Sequence, residues 1–210
     1  MKITKSRLAI VLSQLKGFES PKVRHEQYIT DPEIAAEVLW IAYMKGDIAG
    51  SEIVDAGCGT GILGIGALIL EAKYVTFIDI DEEALEILKN NLKYVESEEL
   101  IEPNSYKIVH SEIKDIDIKA EVTLQNPPFG VKQRKADKVF LEKAVMNTKI
   151  IYSFHKSESL NFIKAFCKDN KCDITEAFNF SFPLKQTYSF HRKRIQRIPV
   201  TCFRITSKHF

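Results

Sequence analysis

Asp55-Ala56-Gly57-Cys58-Gly59-Thr60-Gly61 places three glycines at alternate positions, the first lying two residues after an acid. Glycine permits a tight turn and lets a ligand approach the main chain closely. The spacing is G-x-G-x-G. It differs from the G-x-G-x-x-G of dinucleotide sites, and no Gly-Lys-Ser/Thr follows as in a P-loop. A pyrophosphate wants a free helix N-terminus, whereas here Asp55 closes the preceding strand and can meet a cationic or amino group. A second acid, Asp79, lies 24 residues on, after another apolar run. A carboxylate at that place can accept both hydroxyls of a ribose. The two acids and the turn suit an adenosine-bearing ligand with a charged amino acid tail, namely S-adenosylmethionine. A purely structural glycine turn is the plainer alternative.

Asn126-Pro127-Pro128-Phe129 follows a fourth apolar run. The Asn126 side-chain oxygen can accept a hydrogen bond, and so can the Pro127 carbonyl, whose direction proline's locked φ helps to fix. Pro128 continues the rigid turn, and Phe129 offers a stacking face. Two acceptors and a ring suit a planar group bearing an NH₂. The nitrogen of such a group is a poor nucleophile because its lone pair is delocalised. Acceptors drawing on its N–H bonds favour a pyramidal nitrogen and aim the lone pair at a donor methyl, by positioning and electrostatics alone. Cys58, Cys167, Cys172 and Cys202 form no CxxC pair, and no Cys/His cluster has ligand spacing, so no metal site is expected.

Three weaker signals accompany these. Gln27, Tyr28 and Thr30 precede a capped helix and can cover a ligand, or serve as turn residues. Glu112 follows the third strand and can accept from an adenine amine, or stay solvated. Between the last two strands, Lys185, Arg192, Lys193, Arg194 and Arg197 are interleaved with Tyr188, Phe190 and His191. Cations hold phosphates and aromatic rings stack on bases, which points to RNA; a solvated hairpin tip is the other reading.

The elements that must position these residues alternate. Helices are expected over 4–16 and from Thr30-Asp31-Pro32-Glu33 to Gly46, the second with a capping residue and a proline at its start. Strands at 52–55, 75–78, 106–110, 121–125 and 148–154 alternate with helices at 62–71, 82–93, 136–146 and 157–170. Late strands near 172–182 and 198–206 have no helix between them. This pattern predicts an α/β fold, doubly wound, with a mostly parallel seven-stranded sheet whose last strand is antiparallel and closes the edge. Residues 1–210 read as one domain, with a helical segment over 1–50 and a core over 51–210 that ends in the basic hairpin.

Composition agrees. The 210 residues are 45% hydrophobic and 28% charged, which excludes whole-chain disorder. No apolar run reaches the ~18 residues of a membrane helix, and the start lacks a small-residue cleavage site. With unpaired cysteines, a cytoplasmic protein is expected. The net charge of +2 hides an asymmetry: residues 1–130 hold 13 Lys+Arg against 22 Asp+Glu, and residues 131–210 hold 17 against 6. A basic C-terminal part fits a polyanion approached from one side.

The chain resembles a class I S-adenosylmethionine-dependent methyltransferase. It is similar in particular to the archaeal and eukaryotic family called methyltransferase-like protein five, whose members methylate N6 of one adenosine in small-subunit ribosomal RNA. The resemblance spans roughly residues 5–206. It rests on Glu26-Gln27-Tyr28 with Thr30, Asp55 to Gly61, Phe77-Ile78-Asp79-Ile80-Asp81, Asn126 to Gly130, Tyr152-Ser153-Phe154-His155-Lys156 and Phe190-His191-Arg192-Lys193. It implies that Gln27 and Thr30 touch the cofactor and that Gly57, Thr60 and Ile62 line it, with Tyr28, Gly59 and Ile80 in the same motifs. It further implies that Asp79 binds the ribose, that Glu112 and Ile113 flank the adenine, and that Asn126 to Phe129 hold the target base. The family usually has Asp where Glu112 stands. It also works with a small zinc-binding activator that covers a sheet edge.

Three other functions share parts of the pattern. Glutamine-N5 methyltransferases of translation factors use a similar Asn-Pro-Pro-aromatic loop, but with a separate N-terminal helical domain. A non-catalytic ribosome-assembly factor would keep the fold without turnover; the intact Asp79 and Asn126 speak against it. DNA adenine methylation would need a recognition domain, for which no segment is left.

Overall fold

The computed structural model describes residues 3–18, 30–129, 136–185 and 195–209. Its elements in chain order are α1 (Lys5–Gln14), α2 (Pro32–Met44), β1 (Glu52–Ala56), α3 (Ile62–Ile69), β2 (Tyr74–Asp79), α4 (Glu82–Ser97), β3 (Tyr106–His110), β4 (Ala120–Gln125), α5 (Ala136–Asn147), β5 (Thr148–Lys156), α6 (Leu160–Asp169), β6 (Cys172–Lys185) and β7 (Ile195–Ser207). Helix starts follow the expected chemistry. Thr4 caps α1 by accepting from the Arg7 N–H, and Asp31 caps α2 by accepting from the Glu33 and Ile34 N–H groups ahead of Pro32. Asp81 does the same for α4.

The sheet order is β3-β2-β1-β4-β5-β7-β6. β1 to β5 are mutually parallel, and β7 is antiparallel to both β5 and β6. The last strand is antiparallel as expected, but it does not close the edge. The crossover through α6 sets β6 down one place beyond β5, and the returning hairpin strand fills the gap. β6 is therefore the outer strand and runs in the same sense as β1 to β5.

Alternation along the strands divides the core. Ile53, Val75 and Phe77 pack in one cluster with buried residues of α1, α2, α3 and α4. Val54, Ala56 and Ile78 face the other way, against Ile113, Ile116, Ile118 and Phe140. Further along that second face, α5 and α6 pack Leu141, Val145, Ile163 and Phe166 onto Ile151, Phe203 and Ile205. α4 runs past its expected end because Leu92 and Val95 stay buried in the first cluster. α6 begins later than expected, after a 3-10 turn at Ser157–Ser159.

A buried ion pair ties the N-terminal helices to the far half of the sheet. Arg204 on β7 donates to both oxygens of Asp47, just after α2, at 2.8 and 3.1 Å. The Tyr152 hydroxyl on β5 donates to the same carboxylate at 2.6 Å.

Candidate active site

The direction of sheet order reverses between β1 and β4, so the crevice at their carboxyl ends is where an open α/β sheet receives a ligand. Register makes the convergence specific. Ala56 pairs with both Ile78 and Gln125, Asp79 pairs with His110, and Gln125 pairs with Ser153. Gly57, Asp79, Ser111 and Asn126 therefore emerge side by side along one edge.

The glycine turn is held from several directions. Gly57, Gly59 and Gly61 all have positive φ, at 66°, 52° and 91°. A Cβ at Gly59 would lie 2.9 Å from Phe18 Cζ, and one at Gly57 would lie 2.8 Å from Phe140 Cε1. Only glycine leaves that space open. The Gly59 N–H donates to Asp79 Oδ2 at 2.7 Å, and the Asp81 N–H donates to Asp79 Oδ1 at 2.9 Å. A carboxylate offers about four lone-pair directions, so capacity remains for a ligand hydroxyl. Burial pushes the Asp79 carboxyl up, against the lowering effect of those N–H donors. Thr60 and Ile62 are buried at the turn, and Ile80 stands exposed beyond Asp79.

Asp55 lies near the end of β1. It is buried beneath the turn, and Oδ2 accepts from the Gly64 N–H in α3 at 2.8 Å. Burial raises its carboxyl to about 7, with the Gly64 bond opposing and the Asp79 charge adding. Its Oδ2 contact is with the helix that carries the turn. Glu112 is exposed and pairs with Lys114 at 2.5 Å, while Ile113 packs in the second-face cluster.

At the tetrapeptide, Asn126 Nδ2 donates to Thr30 Oγ1 at 3.0 Å. Asn126 Oδ1 is buried and accepts from no group among the described residues. Pro127 is buried, Pro128 is half-buried, and Phe129 is half-buried against the core. Behind the loop, Gln125 Nε2 donates to Ser153 Oγ at 2.9 Å, and Ser153 Oγ lies 2.6 Å from His155 Nε2. Burial depresses His155 to about 3, so its ring is neutral.

Sequence reasoning did not single out Asn91. It lies buried on α4, and its amide donates to the Thr60 carbonyl and the Lys16 carbonyl, each at 2.9 Å, joining the glycine turn to the chain after α1. Gln125, Ser153 and His155 were likewise without a role. Ser153 and His155 stood in the Tyr152–Lys156 segment of the resemblance, and all three fall at buried positions of apolar strands.

The outer end of the β6–β7 ladder lies on the same edge as the crevice. The last pair between β5 and β7 is Lys156 with Val200, but the β6–β7 ladder continues from Ser181–Pro199 to Lys185–Ile195. Those five further pairs carry it roughly 16 Å beyond the sheet. Arg197 is exposed there, with Nη1 donating to the Ser181 carbonyl at 3.2 Å. Gln27, Tyr28, His191, Arg192, Lys193 and Arg194 lie outside the described residues, as does the Lys185 side chain. Among the described residues no cluster of ligating side chains could hold a metal ion, and no helix is long and apolar enough to cross a membrane.

The open glycine cradle, the acid at the end of β2 and the orphaned acceptor after β4 fit S-adenosylmethionine beside a target amine. Together with the sheet order, they define a class I S-adenosylmethionine-dependent methyltransferase. Comparison with known proteins agrees. Residues 40–126 match the family described as ribosomal protein L11 methyltransferase (PrmA). An uncharacterised protein of Methanocaldococcus jannaschii is 36% identical over 99% of this chain and 96% of its own length. The rRNA N(6)-adenosine-methyltransferase METTL5 of Danio rerio is 34% identical over 93% of this chain and 95% of its own. The crystal structure of Pyrococcus horikoshii PH1948 superposes with a TM-score of 0.89 at 36% identity, covering 99% of both chains. The chain belongs to the METTL5 family.

Proposed function

We propose that this chain transfers a methyl group to the exocyclic N6 of an adenosine in small-subunit ribosomal RNA, and that Asn126 to Phe129 hold the target base. The buried, unpartnered Asn126 Oδ1 at the switch point carries the reading. A buried polar atom without a partner costs free energy, so an acceptor kept in that state at a crevice suits an N–H brought by a ligand.

When bound, S-adenosylmethionine supplies an electrophilic methyl on a sulfonium sulfur. Asp79 is placed to take the ribose hydroxyls. Asn126 Oδ1 and the Pro127 carbonyl accept the two N–H bonds of the amine, and Phe129 stacks on the base. Such acceptors stabilise the positive charge that develops on nitrogen as the C–N bond forms and the C–S bond breaks. The proton then leaves the nitrogen to solvent. Gln27, Tyr28, Thr30, Asp55, Gly57, Gly59, Thr60, Ile62, Ile80, Glu112 and Ile113 complete the cofactor site in this reading.

The target base must leave its stack to reach Asn126. The sheet order supports a place for the flanking RNA, because the basic residues 131–210 supply β5, β6 and β7, all on one side of the switch point. Lys185, His191, Arg192, Lys193, Arg194 and Arg197 form the RNA contact. Residues 1–210 act as one methyltransferase domain in the cytoplasm, where ribosomal RNA is available. On the opposite edge, β3 pairs only with β2 among the described strands. An open edge is a template for strand addition, and we assign it to the small zinc-binding activator. Separate elution of the co-expressed pair on gel filtration would remove that assignment.

The function is tested by incubating the protein with labelled S-adenosylmethionine and small-subunit RNA, followed by nucleoside digestion. Label in N6-methyladenosine is the expected result. Label in another nucleoside, or in N5-methylglutamine of a release factor offered alongside, would overturn the reading.

A further inference from the structure

The tetrapeptide leaves β4 with little main-chain support. The last rungs on that strand pair Gln125 with Ala56 on one side and with Ser153 on the other. Pro127 and Pro128 follow, and neither has an N–H with which to extend a ladder. The direction in which the Pro127 carbonyl leaves the sheet therefore depends on how firmly Gln125 is held.

Gln125 is held through its side chain. It is fully buried, and Nε2 donates to Ser153 Oγ at 2.9 Å across the last rung. Oε1 accepts from no group among the described residues, so among them Nε2 alone tethers the amide. Ser153 Oγ lies 2.6 Å from His155 Nε2. With Gln125 donating to the serine oxygen, the hydroxyl proton is free for Nε2, whose lone pair the neutral ring offers. The imidazole is itself confined. It is 2% exposed, and the Phe203 ring of β7 stands 6.1 Å away between centroids. Three buried polar side chains thus make one directed chain from β5 to the residue before Asn126. In a low-dielectric interior such a chain rigidifies the elements it joins.

We infer that Ser153 and His155 are positioning residues for methyl transfer: through Gln125 they fix the end of β4 so that the Pro127 carbonyl meets the target amine. This rests on the reading of Asn126 to Phe129 as the holder of that amine. Neither residue touches a reacting atom, and neither belongs to the proposed cofactor site.

The test reads kcat on small-subunit RNA per folded molecule, beside S-adenosylmethionine affinity by calorimetry and stability by urea unfolding. Ser153→Ala removes the central hydroxyl with little change in volume. Small displacements of a reacting group slow the reaction steeply, and one lost orienting hydrogen bond predicts a kcat about tenfold lower, with cofactor affinity close to wild type. Gln125→Met keeps the length and removes the amide. It should lose as much, and Ser153→Ala should add nothing in that background. His155→Leu should also slow transfer, while His155→Gln, whose amide oxygen can accept from Ser153, should recover the rate. Should a His155 variant not fold, the Ser153 and Gln125 variants decide. A wild-type kcat in Ser153→Ala, whatever its stability, would show a purely structural network and overturn the inference. So would a cofactor affinity that falls with the rate, or additive losses in the double variant. No transfer by the wild-type chain, or full kcat in Asn126→Ala, would instead overturn the reading of the tetrapeptide beneath it.

Discussion

The Gly59 N–H donates to Asp79 Oδ2 at 2.7 Å, so the glycine turn after β1 and the acid that ends β2 form one unit. The bond sets the conformation of the turn and the direction of the carboxylate together. Both are in place in the chain by itself, which reduces the ordering cost of binding. Asn91 holds the same turn from α4 through the Thr60 carbonyl.

Asp79→Ala removes the charged acceptor for the ribose and unties Gly59. A hydrogen bond to a charged group contributes about 1.5–3 kcal/mol, so S-adenosylmethionine affinity should fall about tenfold or more. Calorimetry measures this directly. Unchanged affinity would show that the ribose is held elsewhere.

Asn126→Ala should slow methyl transfer about 100-fold or more, by analogy with the loss of one oxyanion-hole donor. Cofactor affinity should stay close to wild type, because the acceptor matters most as charge develops on nitrogen. Phe129→Ala should instead weaken RNA binding, by about 1–3 kcal/mol for a lost stacking platform. Steady-state kinetics separates the two, with the first change in kcat and the second in KM.

Local features of this fold were readable from the residues alone. The glycine turn, the acids at Asp55 and Asp79, the Asn126 tetrapeptide and the caps at Asp31 and Asp81 each sit within a few residues of the element they define. What depended on tertiary placement was not readable. Asn126 meets Thr30 across 96 residues, and Arg204 meets Asp47 across 157, and no periodicity encodes such a pair. Asp55 shows the same limit: its position at the end of a strand does not reveal that the Gly64 N–H, nine residues on, donates to its Oδ2. The place of β7 beside β5 also followed from the crossover through α6, which the order of elements along the chain leaves open.

Two buried groups should give opposite pH dependences. His155 has a folded pKa of about 3 against an ordinary 6.5. Between those values the unfolded state binds the extra proton, so its contribution to stability is intact above pH 6.5 and is lost as pH falls toward 3. Asp55, raised from 3.8 to about 7, binds its extra proton in the folded state, so its contribution declines as pH rises through that window. His155→Gln should therefore flatten the acid loss by up to about 1.4 kcal/mol per pH unit. Asp55→Asn, which still accepts from Gly64, should stabilise the protein at pH 8 relative to wild type. Urea midpoints at pH 5 and pH 8 check both, and parallel profiles in the variants would exclude these groups as the source.

Asp47→Ala leaves the Arg204 guanidinium without its bidentate partner and the Tyr152 hydroxyl without its acceptor. Both partners of the pair are largely buried, with side chains 7% and 15% exposed. Breaking such a pair by removing one member typically costs about 3–5 kcal/mol. Denaturant unfolding should show a loss of that order, while catalytic rates per folded molecule remain unchanged because the network lies away from Asn126. A loss below about 1 kcal/mol, the size seen for exposed pairs, would mean that water reaches the pair.

The β6–β7 hairpin carries the last expectation. Because β6 runs in the same sense as β1 to β5, its end at Lys185 lies on the edge that holds Asn126, and its ladder with β7 extends past the end of β5. Residues 186–194 join the two strands and include Arg192, Lys193 and Arg194. RNA bound across the crevice would meet these cations, and each phosphate they neutralise releases counterions. Replacing the three by Ala should weaken RNA binding and flatten its salt dependence, with a change in log–log slope of up to ~3 for three lost phosphate contacts. S-adenosylmethionine affinity should not move, since none of the three belongs to the proposed cofactor site. Filter binding across a salt series provides the slope. A triple variant with the wild-type slope would place the RNA on another face of the protein.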